Sequence, residues 1–237
     1  MDLITDVIRD GSEQITAFAE ASGKSFAAAL LQAARGAVRH VISITPPATA
    51  SNVPGGLDSG SDAKQRGYAT IHRDLNHIFA PKRLKGMRKE MISAAQMVQI
   101  HQRLLATKRP GTPMRRDRAQ PYYVDIRKFN MLETKLRANV GKLAGGWMPA
   151  ATALNVRGVP AWVSRHGENR GSVEIQLEGK NLFVRAINIV SPHAPAWVAP
   201  EMERRAGYAV QYAMNDLTRQ LPYVGGQAAR HVGLGVT

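Results

Sequence analysis

The chain of 237 residues has no cysteine, few aromatic residues and no long apolar run. The absence of thiols excludes disulfides, thiolate metal sites and a cysteine nucleophile. No stretch of about 18 apolar residues is present, so the sequence predicts no membrane-spanning helix. The first ten residues, MDLITDVIRD, are interrupted by charges, unlike a secretory signal peptide, and we expect a cytosolic product or one assembled from the cytosol. A hydrophobic content of 44% still predicts a folded core.

Acidic residues are outnumbered, and the two signs of charge are distributed unevenly. The chain has 32 Lys or Arg against 18 Asp or Glu, a formal net charge of +14. Residues 82–137 hold fifteen of the basic residues and four acids, whereas the first twenty residues hold five acids and one Arg. This pattern predicts contact with a polyanion, with an acidic protein surface, or with the acidic end of a neighbouring copy.

One stretch, IHRDLNHIF at 71–79, contains the four letters that open the catalytic loop of protein kinases. Such a loop needs an Asn at position 79, where this chain has Phe79, and it needs a Gly-rich loop and a DFG segment that the sequence lacks. Helical spacing explains the stretch better. It places Ile71, Leu75 and Ile78 on one face, with Arg73 and Asp74 facing solvent.

Other catalytic and metal-binding signatures are missing from the sequence. None of the seven histidines forms an H-x-x-H or H-E-x-x-H pair, and His72 and His77 point about 140° apart on a helix. No G-x-S-x-G, Walker or dinucleotide-binding fingerprint is present. We therefore expect no catalytic residue, no metal and no cofactor.

The N-terminal half is predicted to be helical, with two long connections. Apolar residues recur at three- and four-residue steps from Ser12 to Ile44, with a bend near Gly23. Residues 45–61, rich in Pro and Gly, predict a flexible linker, and a helix follows over about 62–79. A basic insertion of helix and loop is expected over about 82–125, and helical spacing returns over 128–145.

The C-terminal half contains the predicted strands. Alternating residues in SVEIQLEG and NLFVRAINIV, joined by a turn near Gly179, predict a β-hairpin over about 172–190. PAWV at 160–163 is a candidate third strand. A last helix begins near Pro200, and a Gly-rich tail over about 222–237 is expected to be loose. The predicted fold is therefore a single α+β domain, with long helices on a small antiparallel sheet and long extended loops.

The second hairpin strand is apolar on both faces, which predicts that both faces are covered. Its residues Phe183, Ile187 and Ile189, together with Trp162 and Trp197, are the candidate interface anchors. An ordinary place in the core is the alternative for the two tryptophans.

A second set of candidates is basic. It consists of Arg109, Arg115, Arg116, Arg118, Arg127 and Lys128, which lie near Tyr122, Tyr123 and Phe129 in the sequence. Basic residues beside aromatic ones are typical of nucleic-acid grooves. An acidic protein surface fits the same charges. A nucleic-acid-binding module over 82–128 is therefore the alternative function, although no RNP, KH or zinc-finger signature is present.

Three stretches together resemble minor structural proteins of tailed bacteriophages, of the neck and tail-completion type that join head to tail. They are the helix leading through TPPATAS to AKQRGYATIHRDLNHIF, the pair KLAGGWMPAATAL and VPAWVSRHG, and VRAINIVSPHAPAWVAPEMERRAGYAVQYAMNDL. The insertion at 82–125 is larger than in the compact members of this group, which leaves the position within the neck open.

The resemblance implies an α+β subunit without enzymatic activity that works as one copy in a ring. The expected partners are copies of itself, the portal or connector, and tail-tube or terminator proteins, with genomic DNA passing nearby. The expected location is the virion, after assembly in the host cytoplasm. Long loops and tails would then reach neighbouring subunits and become ordered on assembly.

Overall fold

The structure is a computed structural model that describes residues 2–7, 12–47, 60–83, 91–109, 112–114, 121–167, 171–178, 182–189 and 197–231. For 2–7, 60–61 and 225–231 it describes the backbone. The helices are α1 (Ser12–Ser22), α2 (Phe26–Ile44), α3 (Gly60–Ile78), α4 (Ala94–Thr107), α5 (Ile126–Arg137), α6 (Lys142–Gly145), α7 (Met148–Ala153), α8 (Ala161–Ser164) and α9 (Val198–His231). The strands are β1 (Asp2–Val7), β2 (Phe79–Lys82), β3 (Tyr122–Asp125), β4 (Gly171–Gln176) and β5 (Phe183–Ile189).

The main sheet has β5 at its centre, paired antiparallel with β4 on one side and with β1 on the other. The predicted hairpin is confirmed, and so is the α+β class. The third strand is β1, from the start of the chain, and its Asp2 lies opposite Ile189. The prediction of a strand at PAWV is wrong, because these residues form the single turn α8 after Pro160. A separate parallel pair joins β2 to β3.

The long N-terminal helix is divided into two at Gly23. This glycine has a φ of +64°, a left-handed conformation that residues with a Cβ rarely adopt. Ser25 then caps α2, since its hydroxyl accepts a hydrogen bond of 3.2 Å from the backbone N–H of Ala28. The predicted bend is therefore a complete break between α1 and α2.

The main core lies between α1, α2, α9 and one face of the sheet. Alanines line the contact between α2 and α9, among them Ala33, Ala37, Ala209 and Ala213. At Gly36 an added Cβ would lie 3.5 Å from the Cβ of Ala213, so the two backbones are close. The small residues of α2 therefore allow the near approach of another helix.

The sheet is attached to the core through a buried amide. Asn188 of β5 is buried, and its Nδ2 donates a hydrogen bond of 2.9 Å to the carbonyl oxygen of Leu143. A Cβ on Gly146 would collide with the side chain of Asn188, and one on Gly171 would collide with the carbonyl oxygens of Gly146 and Ile187. The glycines that end α6 therefore allow the sheet to lie against this turn.

A second core forms around the basic insertion, from α3, β2, α4, β3 and α5. Its buried residues are Leu75, Ile78, Phe79, Met97, Met114, Val124 and Phe129. Ser93 and Gln96 form a capping box at the start of α4, with hydrogen bonds of 3.3 and 2.7 Å. We call this unit the basic module. The described part of the predicted insertion is therefore folded around its own apolar centre.

The structure describes little of the predicted linker and most of the predicted tail. Residues 48–59, most of the linker, lie outside the described residues, and α3 begins at Gly60. Helix α9 continues through Pro222 to His231, so the prediction of a loose tail from residue 222 is wrong for 222–231. Within the described ranges, no helix has both the length and the apolar character needed to cross a membrane.

Candidate functional site

Asp74, the acid of the HRDL stretch, faces inward. It lies near the C-terminal end of α3 and is 5% exposed, so the prediction that it faces solvent is wrong. The ammonium group of Lys108, just after α4, donates a hydrogen bond to its Oδ2, and Nε of Arg73 lies 3.6 Å from its Oδ1. The ion pair between Asp74 and Lys108 therefore joins the end of α4 to α3.

His101 lies close to the same ion pair. Burial lowers the pKa of His101, Lys108 lowers it further, and the negative charge of Asp74 partly opposes both effects. Together these effects favour the neutral imidazole. In the described part of the chain, no three His, Asp or Glu side chains are grouped closely enough to hold a metal ion.

A second polar cluster joins α3 to α5. Glu133 is the only acid of α5 and it is buried. Its Oε1 lies 2.9 Å from Nδ1 of His72 and accepts a hydrogen bond of 2.6 Å from Arg137. The guanidinium group of Arg137 also lies 5.1 Å from the ring centre of Tyr68. These contacts join α3 to α5 within the basic module, and the other cationic side chains of α5, Arg127, Lys128 and Lys135, are exposed.

The faces of the main sheet differ in their cover. Val184, Ala186 and Asn188 of β5 point into the core and are buried. Phe183 and Ile187 are half-buried on the opposite, outer face, and Ile189 is 45% exposed. Within the described residues, the outer face is therefore covered only in part. We call Phe183, Ile187 and Ile189 the outer sheet patch.

The two tryptophan candidates lie elsewhere. Trp162 of α8 is 8% exposed and belongs to the main core, beside Gly141, so it is unavailable as an interface anchor. Trp197 is half-buried and packs against the same core at the start of α9. Of the five candidates, the structure brings Phe183, Ile187 and Ile189 together and separates the tryptophans from them.

The basic candidates are partly described. Arg109 is exposed at the end of α4, and Arg127 and Lys128 are exposed in the first turn of α5. Arg115, Arg116 and Arg118 lie outside the described residues. The three cations that the structure describes therefore all reach solvent from the basic module.

The aromatic residues that accompany these cations in the sequence face inward or are covered. Phe129 is buried in the second core, and Tyr122 lies against Phe79 with ring centres 6.4 Å apart. Tyr123 is covered by the ammonium group of Lys82, 4.2 Å from its ring centre. The alternation of basic and aromatic residues therefore does not form an open stacking platform.

One small, partly open pocket lies beside the main core. It has a volume of about 10 Å³ and is lined by Ala37, Val38, Val41, Trp147, Ala186, Ala206, Ala209 and Val210. Such a volume corresponds to about one water molecule, and the lining is apolar.

Sequence reasoning missed the outer faces of α1 and α5. Glu13, Thr16, Ala17 and Glu20 are exposed on α1, and Arg127, Lys128, Met131, Thr134 and Lys135 are exposed on α5. Met131 is 72% exposed although it is apolar, because it shares the face of α5 that carries Arg127 and Lys135. The exposed positions of each helix recur at three- and four-residue steps, and each set has charges of one sign. That combination is the sequence signal that would have found them.

Comparison with known proteins gave no match, whether to a family model, to a curated protein or to a solved structure.

Proposed function

We propose that this chain is a structural subunit of the neck of a tailed bacteriophage, where copies form a ring that joins head and tail. Its partners would be copies of itself, the portal or connector, and tail-tube or terminator proteins. The proposal assigns it no chemical step and no cofactor, and places it in the virion after assembly in the host cytoplasm. The naming of a phage rests on the resemblance of the three quoted stretches, and the outer sheet patch supports an assembling protein.

The outer sheet patch is the observation that carries the proposal. Ile189 is 45% exposed next to the half-buried Ile187 on the outer face of the central strand, and Phe183 lies further along the same face, beyond Arg185. Contact with a second surface would remove their apolar area from water, at about 25 cal/mol per Å². Residues of this kind at the centre of a contact carry most of its binding free energy.

The strand order provides a second route to contact. Within the described residues, β1 and β4 each pair with β5 alone, so each presents a free edge. Unpaired N–H and C=O groups along such an edge can accept a strand from another chain. Extended arms of neighbouring subunits are suitable strands, and the proposal expects them there.

The polar groups of the interior support a structural role as well. Asp74 is paired with Lys108, and Glu133 is paired with His72 and Arg137. Each of these carboxylates joins two helices and thereby stabilises the fold. A general acid or base instead needs to reach a substrate at a cleft.

The test is a pair of matched substitutions. Ile189→Asp places a charge in the outer sheet patch, and Val98→Asp places the same charge at a residue of α4 that is 39% exposed. We expect both variants to keep the circular dichroism of the wild type. Only Ile189→Asp should remove the concentration-dependent increase in mass seen by sedimentation and the incorporation into phage particles. Equal assembly of both variants would contradict the proposal.

Binding of nucleic acid by residues 82–128 is the second candidate function. The exposure of Arg109, Arg127 and Lys128 favours it. Binding through phosphates weakens steeply with salt, with a slope that counts the phosphates neutralised. The purified chain would have to bind plain duplex DNA with such a slope, and Arg127→Ala with Lys128→Ala would have to reduce it. Failure to bind at low salt would exclude this function.

A further inference from the structure

Helix α5 separates its charges between two sides. Its single acid, Glu133, points inward and is held by His72 and Arg137. Arg127, Lys128 and Lys135 point outward and are exposed. Among the described residues, the structure gives none of these three side chains a hydrogen bond or ion pair. The solvent-facing side of α5 is therefore purely cationic.

An apolar residue occupies the middle of this cationic side. Met131 is four residues after Arg127 and four before Lys135, so the three share one face of the helix. With 72% of its surface exposed, it is among the most exposed large apolar side chains of the described residues. Methionine is flexible and polarisable, and it is common at protein-binding surfaces. A phosphate backbone is charged and offers no apolar surface that Met131 could contact, so this arrangement favours a protein partner.

Helix α1 has the complementary arrangement. Glu13 and Glu20 are exposed, with the small residue Ala17 between them on the same face. No Lys or Arg lies within α1. Lys24, which follows the helix, is directed elsewhere: its ammonium group bonds Gln32 at 2.9 Å and lies 5.5 Å from the ring centre of Phe18.

The spacing of the two charge pairs matches. At about 1.5 Å of rise per residue, Arg127 and Lys135 are about 12 Å apart along α5, and Glu13 and Glu20 are about 10 Å apart along α1. Helices α1 and α5 of two copies can therefore pair so that each glutamate of α1 meets a cation of α5 at the edge of the contact. Met131 then packs against Ala17, whose small side chain leaves room for it.

The two faces belong to different parts of the chain. Helix α1 packs on α2 and α9 in the main core, and α5 packs on α3, α4 and β3 in the basic module. A contact between the α1 face of one copy and the α5 face of the next joins unlike surfaces. Heterologous contacts of this type form a ring when the rotation between copies closes.

We propose that the outer face of α1, with Glu13, Ala17 and Glu20, binds the outer face of α5, with Arg127, Met131 and Lys135, on a second copy of this chain. This inference rests on the proposed function, because both require self-association. It adds a contact separate from the outer sheet patch and gives the assembly a direction. It also makes assembly sensitive to salt, since exposed charge pairs are screened.

The test is a charge-reversal exchange. Variant one is Glu13→Lys with Glu20→Lys, and variant two is Arg127→Glu with Lys135→Glu. Each alone should self-associate at least about tenfold more weakly than the wild type, because like charges would meet. An equimolar mixture should regain association, since every contact between the two variants then joins opposite charges. The matched control, Arg157→Glu with Arg219→Glu, changes the net charge as variant two does at exposed positions elsewhere and should associate like the wild type.

The absence of cysteine allows a direct check of which surfaces meet. Ala17→Cys and Thr134→Cys, prepared separately and mixed, should form a disulfide-linked dimer under mild oxidation. The control pair, Ala17→Cys with Ala106→Cys on exposed α4, should not. A cross-link of equal yield in both pairs would overturn the contact.

The outcomes separate this inference from the proposed function. Self-association that survives both charge reversals would overturn the α1–α5 contact and leave assembly through the outer sheet patch standing. A wild-type chain that is monomeric at every concentration would overturn both. Duplex DNA binding that variant two abolishes, with self-association unchanged, would assign the α5 face to nucleic acid instead.

Discussion

Lys108, just beyond the end of α4, donates a hydrogen bond to the carboxylate of Asp74 near the C-terminal end of α3, and this ion pair holds the two helices together. Both side chains are largely buried, with 13% and 7% of their surfaces exposed. Arg73, the neighbour of Asp74, is mostly exposed and lies 3.6 Å from the other carboxylate oxygen. The HRDL stretch therefore supplies the buried carboxylate that joins α3 to the end of α4 within the basic module.

Replacing Asp74 should destabilise the fold. In Asp74→Ala the ammonium group of Lys108 is left without its partner in a largely buried place, and such a loss costs about 3–5 kcal/mol. We expect a value of about 3 kcal/mol, measured by urea denaturation, because Lys108 keeps some access to water. The control Arg73→Ala removes an exposed charge and should cost less than about 1 kcal/mol. Equal effects of the two substitutions would show that the buried pair is unimportant.

Local features of the fold could be predicted from the sequence, and contacts between distant residues could not. The helical spacing around Leu75 and the alternation in Val173 and Ile175 identify α3 and the hairpin, because both patterns depend on near neighbours. Strand β1 was missed, since its partner is β5, about 180 positions later. Asp74 was expected to face solvent because Lys108, which neutralises it, is 34 positions away.

The same distinction between local patterns and distant contacts applies to the residues of the candidate site. Phe183, Ile187 and Ile189 were identified because alternation along one strand shows which residues share a face. For Trp162, which lies in the main core, the sequence left a core position and an interface position open, because a single turn of helix after Pro160 has too few residues to show a period. Phe129 was grouped with the basic residues by proximity in sequence, whereas its helical position places it in the second core. Burial decides such cases, and burial depends on the whole fold.

Mild acid should weaken the main core through His40. Burial lowers the pKa of His40, whose ring stacks on Tyr212 with centres 4.0 Å apart. The folded chain then binds its proton less readily than the unfolded chain, so stability is present above the ordinary pKa of about 6.5 and falls as the pH drops below it. His40→Phe keeps the stacking and removes the proton. It should flatten the dependence of the unfolding free energy on pH between 7 and 5, and an unchanged slope would contradict this cause.

Glu201 should add a second dependence at lower pH. Hydrogen bonds from Arg204 and Arg205 lower the pKa of Glu201 to about 2. Stability from this depressed carboxyl is present above its unfolded value of about 4.5 and is lost as the pH falls from about 5 to 2. Since 24% of the side chain is exposed, we expect about 1–2 kcal/mol after screening. Glu201→Gln should remove this loss in thermal melts, and Glu203→Gln, at an exposed acid, should keep it.

Substitution by alanine should change the stability of the fold in opposite directions at two glycines. Gly171→Ala would press a Cβ against the carbonyl oxygens of Gly146 and Ile187, which are backbone atoms that cannot turn away. We expect a loss of about 1–3 kcal/mol or more. Gly207, within α9, has open space where a Cβ would lie, so Gly207→Ala should stabilise the helix by about 0.5–1 kcal/mol. Chemical denaturation of Gly171→Ala checks the close approach of β4 to the end of α6. The same measurement on Gly207→Ala checks the open space beside α9.

Electron microscopy of the purified wild-type chain over a range of concentrations tests the central claim most directly. We expect particles of several copies in closed rings, in which the outer sheet patch around Ile189 is covered by a neighbouring copy. A chain that remains a single copy at every concentration, with this patch open to solvent, would contradict the account.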